Sequence, residues 1–432
     1  MSPMKRFFLI DCNNFFVSCE RVFNPALRNK PVAVLSSNDA CIIARSQEVK
    51  ALGVPMGAPL FEYEKLLRSA GAHLYSANFA LYGDMSNRVM QTLASFATDI
   101  EVYSIDEAFL FVSDYSLPIA YDPRFYYSSY GHLIRKQVMQ NIGIPVCVGI
   151  GSTKTLAKIA NHIAKKNPVY DGVFDISAHP DKDLLLQGVA VGDVWGIGRR
   201  YAKMLHKKGI KTAYDFMQLD DAWVRKHMSV MGLKTLHELR GIVCLELDES
   251  HESKKSICVS RLFGQKTKNI HDVKEALAHY VSTAAIKLRA QKSIAAHMSV
   301  FLMTSRHHDP YTFFKSTSIS LPLATAYTPT LIAHAQHGLQ KIIVPGLVYK
   351  KVGVVLSDIE PEASMQLSTY VAEPDIERQK QLMHTMDMVN AKLGKNSLFF
   401  ASVGTQQQWK MKQAKKSACF TTNWDELLTI EL

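Results

Sequence analysis

The sequence predicts an α+β protein of several domains, and three observations carry that prediction. The chain has 432 residues, too many for one hydrophobic core, so roughly two to four domains are expected. Its hydrophobic content of 47% and charged content of 21% are those of an ordinary globular chain. Strand-like apolar runs alternate with helix-periodic stretches to about residue 180. The pattern is then helical and basic over 181–245, and alternation returns from 258.

Residues 6–11 read as a strand, an apolar run Phe7-Phe8-Leu9-Ile10 closed by Asp11, and Asn13 or Asn14 is placed to cap a helix running to Phe23. Residues 31–35 and 41–45 read as two further strands. Residues 46–52 read as a helix that stops at Gly53, and Pro55, Gly57 and Pro59 mark a loop. Residues 81–97 have helical spacing, and 100–102 with 105–112 form a strand pair around Asp106-Glu107. Residues 115–130 are aromatic-rich and turn-like; 133–142 read as helix, 146–149 as strand and 155–166 as helix. Residues 247–257 are polar and read as a linker. Strand-like 298–303 and 352–356 flank helical 272–291 and 329–343, and a polar, then basic, tail module follows Ser357.

The formal net charge is +11, from 50 Lys+Arg against 39 Asp+Glu, spread along the chain. Such an excess favours a polyanionic partner, nucleic acid first. The seven cysteines (Cys12, Cys19, Cys41, Cys147, Cys244, Cys258, Cys419) form no Cys-x-x-Cys pair and gather no histidines. That argues against structural zinc and a disulfide framework, and for buried thiols in a reducing cytosol. Asp11 ends the first apolar run too early for a signal peptide. No stretch approaches the ~20 apolar residues that span a bilayer. A cytoplasmic protein with no membrane partner is expected.

The segment Tyr103-Ser104-Ile105-Asp106-Glu107-Ala108-Phe109 places two carboxylates inside an apolar run. A buried strand carries charge when the charge is paired or binds a metal. Asp11, at the end of a similar run, adds a third carboxylate. Hard oxygen donors of this kind suit Mg²⁺, and two Mg²⁺ ions suit phosphoryl transfer. Residues 106 and 107 point to opposite faces of a regular strand, so both serve one site only at a hairpin turn or strand end. The Cys12 carbonyl is placed to add a ligand. Read from composition alone, Asp11 is equally a cap residue and Asp106-Glu107 a solvated acidic turn.

Five segments (residues 7–20, 36–57, 103–109, 148–161 and 194–198) together resemble Y-family DNA polymerases, the translesion enzymes, and most closely the UmuC type found in bacterial DNA polymerase V. The resemblance extends through residues 387–428 and covers essentially the whole chain. It implies a right-hand polymerase fold: an α+β palm (1–30 and 85–180), small fingers (31–84), a helical thumb with a helix-hairpin-helix (181–246), a linker (247–257), an α+β little finger (258–356) and a UmuC-type C-terminal tail module (357–432). It also implies error-prone, template-directed DNA synthesis in SOS-type repair and mutagenesis, on primer-template DNA and dNTP, in a bacterial cytoplasm and at the nucleoid when on DNA. By the same resemblance Asp11, Asp106, Glu107 and the Cys12 carbonyl hold two Mg²⁺ ions. Phe16 is the steric gate against a ribose hydroxyl, with Phe15 the aromatic beside it; both are otherwise core residues. Arg45, Ser46 and Lys50 face the triphosphate, Gln47 stands where several relatives have Tyr, and Lys158 grips the β/γ-phosphates.

Val148-Gly149-Ile150-Gly151-Ser152-Thr153-Lys154 fails the Walker pattern, because no Gly directly precedes the Lys. Gly149 and Gly151 instead read as a tight strand-to-helix turn. Trp195-Gly196-Ile197-Gly198 resembles a hairpin whose backbone N–H groups approach a phosphate. Arg199, Arg200 and Lys203 follow it, among six basic residues from Arg199 to Lys211. In the little finger Arg261, Lys266, Lys268 and Arg306 are candidate phosphate contacts. Gln366, Leu367 and Tyr370 resemble a β sliding clamp peptide, although Thr369 replaces its Leu. The UmuC-type tail implies a UmuD′ dimer and RecA as partners. A non-catalytic DNA-binding scaffold of the same fold predicts a lost carboxylate, and a nucleotidyl cyclase predicts no thumb hairpin and no basic third domain; neither matches the sequence.

Overall fold

The run Phe7–Ile10 alternates its side chains between two faces, and both faces are apolar because both are covered. Phe8 and Ile10 join one core, while Phe7 and Leu9 join another on the opposite side. This strand, β1 (Lys5–Cys12), is central in a five-stranded sheet. The computed structural model describes residues 5–97, 99–113, 123–177, 179–247, 253–304, 314–364 and 375–428. They fall into two compact units, one comprising 1–36, 41–251 and 415–432, the other 37–40 and 252–414.

In the first unit β1 is followed by α1 (Phe15–Phe23), β2 (Val32–Leu35), β3 (Ile42–Arg45), α2 (Gln47–Ala51), α3 (Leu60–Ser69), β4 (His73–Ser76) and α4 (Phe79–Ala94). Strands β3, β2 and β4 form a small sheet around Leu35, Val49, Val54 and Leu67. Then come β5 (Asp99–Val102), β6 (Glu107–Ser113), α5 (Pro123–Ile142), β7 (Val146–Gly151), α6 (Lys154–Lys166) and β8 (Val173–Asp175). The main sheet runs β5-β6-β1-β7-β8, with β1 antiparallel to both neighbours. Helices α1, α4 and α5 contribute to the core on the Phe8 side, and Ala157 of α6 packs with Phe7 and Leu9 on the other. A helical group, α7 (Lys182–Gln187), α8 (Arg199–Lys207), α9 (Ala213–Met217) and α10 (Asp221–Leu239), shares a core with α6.

In the second unit β9 (Ile257–Thr267), α11 (Ile270–Ala290), β10 (Ser293–Thr304), β11 (Phe314–Thr325), α12 (Thr328–Ile342) and β12 (Tyr349–Pro361) build a sheet of order β11-β10-β12-β9. Helices α11 and α12 supply its core with Val300, Val352 and Val354. Helix α13 (Ile376–Leu393) is tied to α11 by Arg289, which donates to both Asp387 carboxylate oxygens (2.7 and 2.8 Å).

Several elements differ from the sequence expectation. Half of the stretch expected to be turn-like is helix, because α5 starts at Pro123 and turns Tyr126, Tyr127 and Tyr130 onto the sheet core. Strand β11 has no apolar run to announce it: Ser316, Ser318 and Ser320 alternate with Thr317, Ile319 and Leu321, because one face of the sheet is open. Strand β12 continues to Pro361, past the expected boundary at 356. The expected tail 357–432 is shared between the two units. Its first residues lie in β12, the described residues up to 414 belong to the second unit, and 415–428 pack in the first.

Gly149 and Gly151 lie within β7 rather than in a turn. A Cβ at Gly149 would sit 2.2 Å from the Ala157 carbonyl and the Asn161 nitrogen, and one at Gly151 would sit 2.6 Å from the Ala157 nitrogen. The glycines therefore let α6 lie directly on the strand. Gly149→Ala is expected to force that helix away and destabilise the first unit by about 2 kcal/mol or more, read as a lowered urea midpoint.

Candidate active site

Asp11 and Glu107 face each other across the β1–β6 ladder. Cys12 closes the strand end by donating its N–H to the Asp106 carbonyl (2.8 Å). Asp106 stands in the bend between β5 and β6, and Glu107 is the first residue of β6. The strand alternation is therefore broken at the point where two adjacent carboxylates need it broken. Ser104 organises the bend: its hydroxyl donates to Asp106 Oδ1 (2.6 Å) and accepts from the Asp106 and Glu107 N–H groups (3.2 and 3.1 Å).

Two ammonium groups meet this charge. Lys165 Nζ is 2.6 Å from Asp11 Oδ1, and Lys158 Nζ is 2.8 Å from Glu107 Oε2. Burial pushes the Asp11 carboxyl up to about 7 against the pull of Lys165, and the neighbouring Glu107 adds to the rise. Burial acts on Glu107 in the same sense, but its hydrogen bond and attraction to Lys158 outweigh it and hold it below the usual range. Among the described residues no three His, Cys, Asp or Glu side chains already converge as a cation cage. The donors that could hold a metal are Asp11, Asp106, Glu107 and the Cys12 carbonyl, all hard oxygens.

A cationic edge adjoins Asp11. Lys50 donates to Asn14 Oδ1 (2.6 Å). Its ammonium is pushed down by burial and by the nearby charges of Arg45 and Lys165. Asn14 occupies the cap position of α1 in a left-handed conformation (φ 49°) but makes no side-chain cap, its oxygen being given to Lys50. Ser46 is fully buried, capping α2 and accepting from the Val32 N–H (3.1 Å). It presents no surface to a ligand.

Lys165 is not singled out by the family resemblance, which assigns Lys158 to the β/γ-phosphates. The two are seven residues apart on α6, two turns along one face, and that spacing was the available signal. Lys158 lies against the rings of Tyr103 (4.6 Å), Trp195 (5.4 Å) and Phe109 (5.7 Å). Asn161 donates to the Cys147 carbonyl (2.9 Å) and the Leu9 carbonyl (3.3 Å), a structural role between strands.

Of the two phenylalanines only Phe16 keeps an accessible face. Phe15 is a core residue, 3% exposed. Phe16 is half-buried, stacked on Tyr82 (4.6 Å between centroids, 16°) with the Phe79 ring edge-on (5.9 Å).

In the helical group Gly196 has φ +89°, a conformation that favours glycine, and Gly198 precedes α8 with open space around it. Arg199, Arg200 and Lys203 are exposed beside that helix start. In the second unit Arg261 is opposite Val352 on β12, hence on the helix-covered side of the sheet near His279. The open side carries Lys351, its ammonium 5.7 Å from the Phe301 ring, a cation the sequence reading did not select. Arg306 and the clamp-like residues Gln366, Leu367 and Tyr370 lie outside the described residues.

The main sheet thus carries three carboxylates at one end, beside a cationic edge and a flanking aromatic ring, and solved structures give the fold a name. A chimeric Y-family DNA polymerase built from Dbh and Dpo4 superposes with a TM-score of 0.63 at 21% identity, covering 82% of this chain and 99% of the other. The post-insertion binary complex of Dbh DNA polymerase gives 0.54 over the same shares at 21% identity. The fold is that of a Y-family DNA polymerase. In sequence, residues 10–162 match the impB/mucB/samB family, 254–369 its C-terminal domain, and 380–430 a domain of unknown function, DUF4113. The chain is 40% identical to protein UmuC of Salmonella typhimurium over 98% of this chain and all of that one. It is 38% identical to protein ImpB of Salmonella typhimurium over 98% of each. DNA polymerase IV of Saccharolobus solfataricus is 28% identical over 67% of this chain and 80% of its own.

The chain belongs to the impB/mucB/samB family of Y-family DNA polymerases. It is a DNA-directed DNA polymerase of translesion synthesis, acting on DNA and nucleotides and dependent on divalent metal as its family is. No helix among the described residues is long and apolar enough to cross a membrane.

Lys165→Met would leave Asp11 and Glu107 facing each other with one cation fewer. The melting temperature in chelator is expected to fall by a few degrees, and millimolar divalent cation to restore it, measured by scanning fluorimetry.

Proposed function

We propose that primer extension by this chain runs at a two-Mg²⁺ centre held by Asp11, Asp106, Glu107 and the Cys12 carbonyl. The observation that carries the reading is the register: Asp11 directly opposite Glu107, with Asp106 at the adjoining bend. The donor set fits the ions, because its oxygens are hard and their charge is at present met by lysine ammonium groups that a bound cation can displace. When bound, the ions neutralise the phosphate oxygens and favour the ionised primer 3′-hydroxyl.

The chain's own groups do the rest. The primer oxygen attacks the α-phosphorus of the dNTP, and pyrophosphate leaves. Lys165, Lys50 and Arg45 hold the triphosphate, and Lys165 passes from Asp11 to the phosphates as the substrate arrives. Lys158 stays against its aromatic wall and orients Glu107. The Phe16 ring stands where a ribose 2′-hydroxyl would project, so deoxynucleotides are admitted. The hairpin N–H groups at Gly196 and Gly198, with Arg199, Arg200 and Lys203, contact DNA phosphates without reading sequence, as a thumb (181–246) holding any template must. Palm and fingers follow the boundaries set out above, the little finger continues at least to Pro361 at the end of β12, and its open sheet face bearing Lys351 supplies further phosphate contact.

The likeness to UmuC-type chains supports a cytoplasmic, nucleoid-associated enzyme that works with a UmuD′ dimer, RecA and the β sliding clamp. Gln366, Leu367 and Tyr370 are the clamp-docking residues in this reading.

Asp106→Ala with Glu107→Ala is expected to lower primer extension with Mg²⁺ by at least about a thousandfold on damaged and undamaged templates. Extension equal to wild type would remove these residues from the mechanism. Lys165→Ala is expected to raise the KM for dNTP more than Lys158→Ala does, read in single-nucleotide insertion kinetics.

A further inference from the structure

The last described stretch of the chain, residues 415–428, packs in the first unit, and its polar contacts lead to Phe16. Asn78 is fully buried and caps α4: its carboxamide oxygen accepts from the Leu81 N–H (3.3 Å). Its nitrogen donates to the Ser417 carbonyl (3.0 Å), the Ser417 hydroxyl (3.1 Å) and the Ala418 carbonyl (3.1 Å). The Ser417 hydroxyl in turn donates to Glu20 Oε1 (3.0 Å), and the same oxygen accepts from the Tyr82 hydroxyl (2.6 Å). Phe420 adds a ring stacked on Phe23 of α1 (4.8 Å, 14°).

Glu20 is 2% exposed, and burial raises its carboxyl while the Tyr82 and Ser417 hydroxyls pull it back. A buried carboxylate held by two hydroxyls fixes both of them, because losing either leaves charge unsatisfied. One of those hydroxyls belongs to the ring stacked flat on Phe16, and Asn78 caps the helix turn that carries Phe79 and Tyr82. A half-buried gate ring discriminates only if it cannot retreat, so what lies behind it decides its strictness.

We propose that residues 415–420 are a positioning element for sugar discrimination. Ser417 fixes the Glu20 carboxylate, Glu20 fixes the Tyr82 hydroxyl, and the Tyr82 ring sets how far Phe16 can yield to a 2′-hydroxyl. This assigns a role to the end of the DUF4113 segment. It rests on Phe16 being the gate.

The test measures kcat/KM for a dNTP and the matching rNTP with the full chain, in the assembly that supports extension by wild type. Phe16→Ala is expected to lower the dNTP:rNTP ratio most. Ser417→Ala is expected to lower it roughly fivefold, the scale of one lost hydrogen bond to a charged group, through a smaller KM for the rNTP with dNTP use unchanged. Ser417→Thr, which keeps the hydroxyl, is expected to restore the ratio, and a chain ending at Ala414 to shift it at least as far as Ser417→Ala. If Phe16→Ala leaves the ratio unaltered, the gate reading falls and this proposal with it. If Phe16→Ala collapses the ratio while Ser417→Ala and the shortened chain keep the wild-type value, the gate stands and the tail's role is refuted. Equal loss of dNTP and rNTP use in Ser417→Ala would mark the contact as merely structural and overturn the proposal.

Discussion

Two carboxylates directly opposite each other on paired strands are the constraint on which the rest of the first unit depends. Like charges so placed weaken a sheet, and here neither can turn fully to water, because β1 is the central strand with both faces covered. The offset comes from one helix. Lys158 and Lys165 descend from α6 onto Glu107 and Asp11. They reach because Gly149 and Gly151 let the helix backbone approach within the space a Cβ would fill. The helix is in turn held at its start by a carboxylate on α10. Glu238, fully buried, accepts from the N–H groups of Thr155 (3.0 Å), Cys244 (2.8 Å) and Leu245 (3.1 Å). An anion at a helix N-terminus satisfies donors that otherwise lack partners and favours the helix dipole. The acidic pair, the glycines and Glu238 are thus one chain of cause.

Much of this could be read from the sequence. The run Phe7–Ile10 ending in Asp11, and the acidic step between Ile105 and Ala108, gave the strands and three carboxylates, because apolar runs without alternation mean strands covered on both sides. What escaped reading was whatever depends on register or on packing depth. The sequence singles out Ser46 as a ligand-facing residue, yet its hydroxyl caps α2 and bonds the Val32 N–H; nothing in residue type separates those fates. Phe15 and Phe16 are chemically identical neighbours, and only the helix phase decides that the first enters the core. Arg261 pairs with Val352 and so lies on the helix-covered side of the sheet, yet on the edge strand it stays exposed, a placement that residue type does not announce. Strand β11 was illegible because a one-faced strand rich in serine has no apolar run.

The tail illustrates the same limit at longer range. Residues 395–414 read as part of a basic tail module, yet Trp409 is 4% exposed in the core of the second unit, its indole N–H donating to Glu275 (3.3 Å). Its backbone carbonyl accepts from the Gly264 N–H (3.2 Å), and a Cβ at Gly264 would lie 2.1 Å from the Lys410 carbonyl. A glycine in β9 is therefore there to let a segment 146 residues later (264 to 410) lie flat on the strand. Propensity cannot express such a requirement.

Four carboxylates in the first unit, Glu20 and Glu238 buried and Asp11 and Glu107 half-buried, divide by the kind of partner each is given. Glu238 is held by backbone N–H groups and Glu20 by two hydroxyls, partners of fixed direction that cannot leave without exposing unsatisfied charge. Asp11 and Glu107 are held by lysines, whose ammonium groups ride on flexible stems and have no directional requirement. A carboxylate that only supports the fold gains from rigid partners. In the proposed mechanism a carboxylate is handed to a metal-bound nucleotide, and it then needs a partner that neutralises it beforehand and can step aside. Lysine is the side chain that meets both demands, and α6 carries two of them at the spacing of two helical turns.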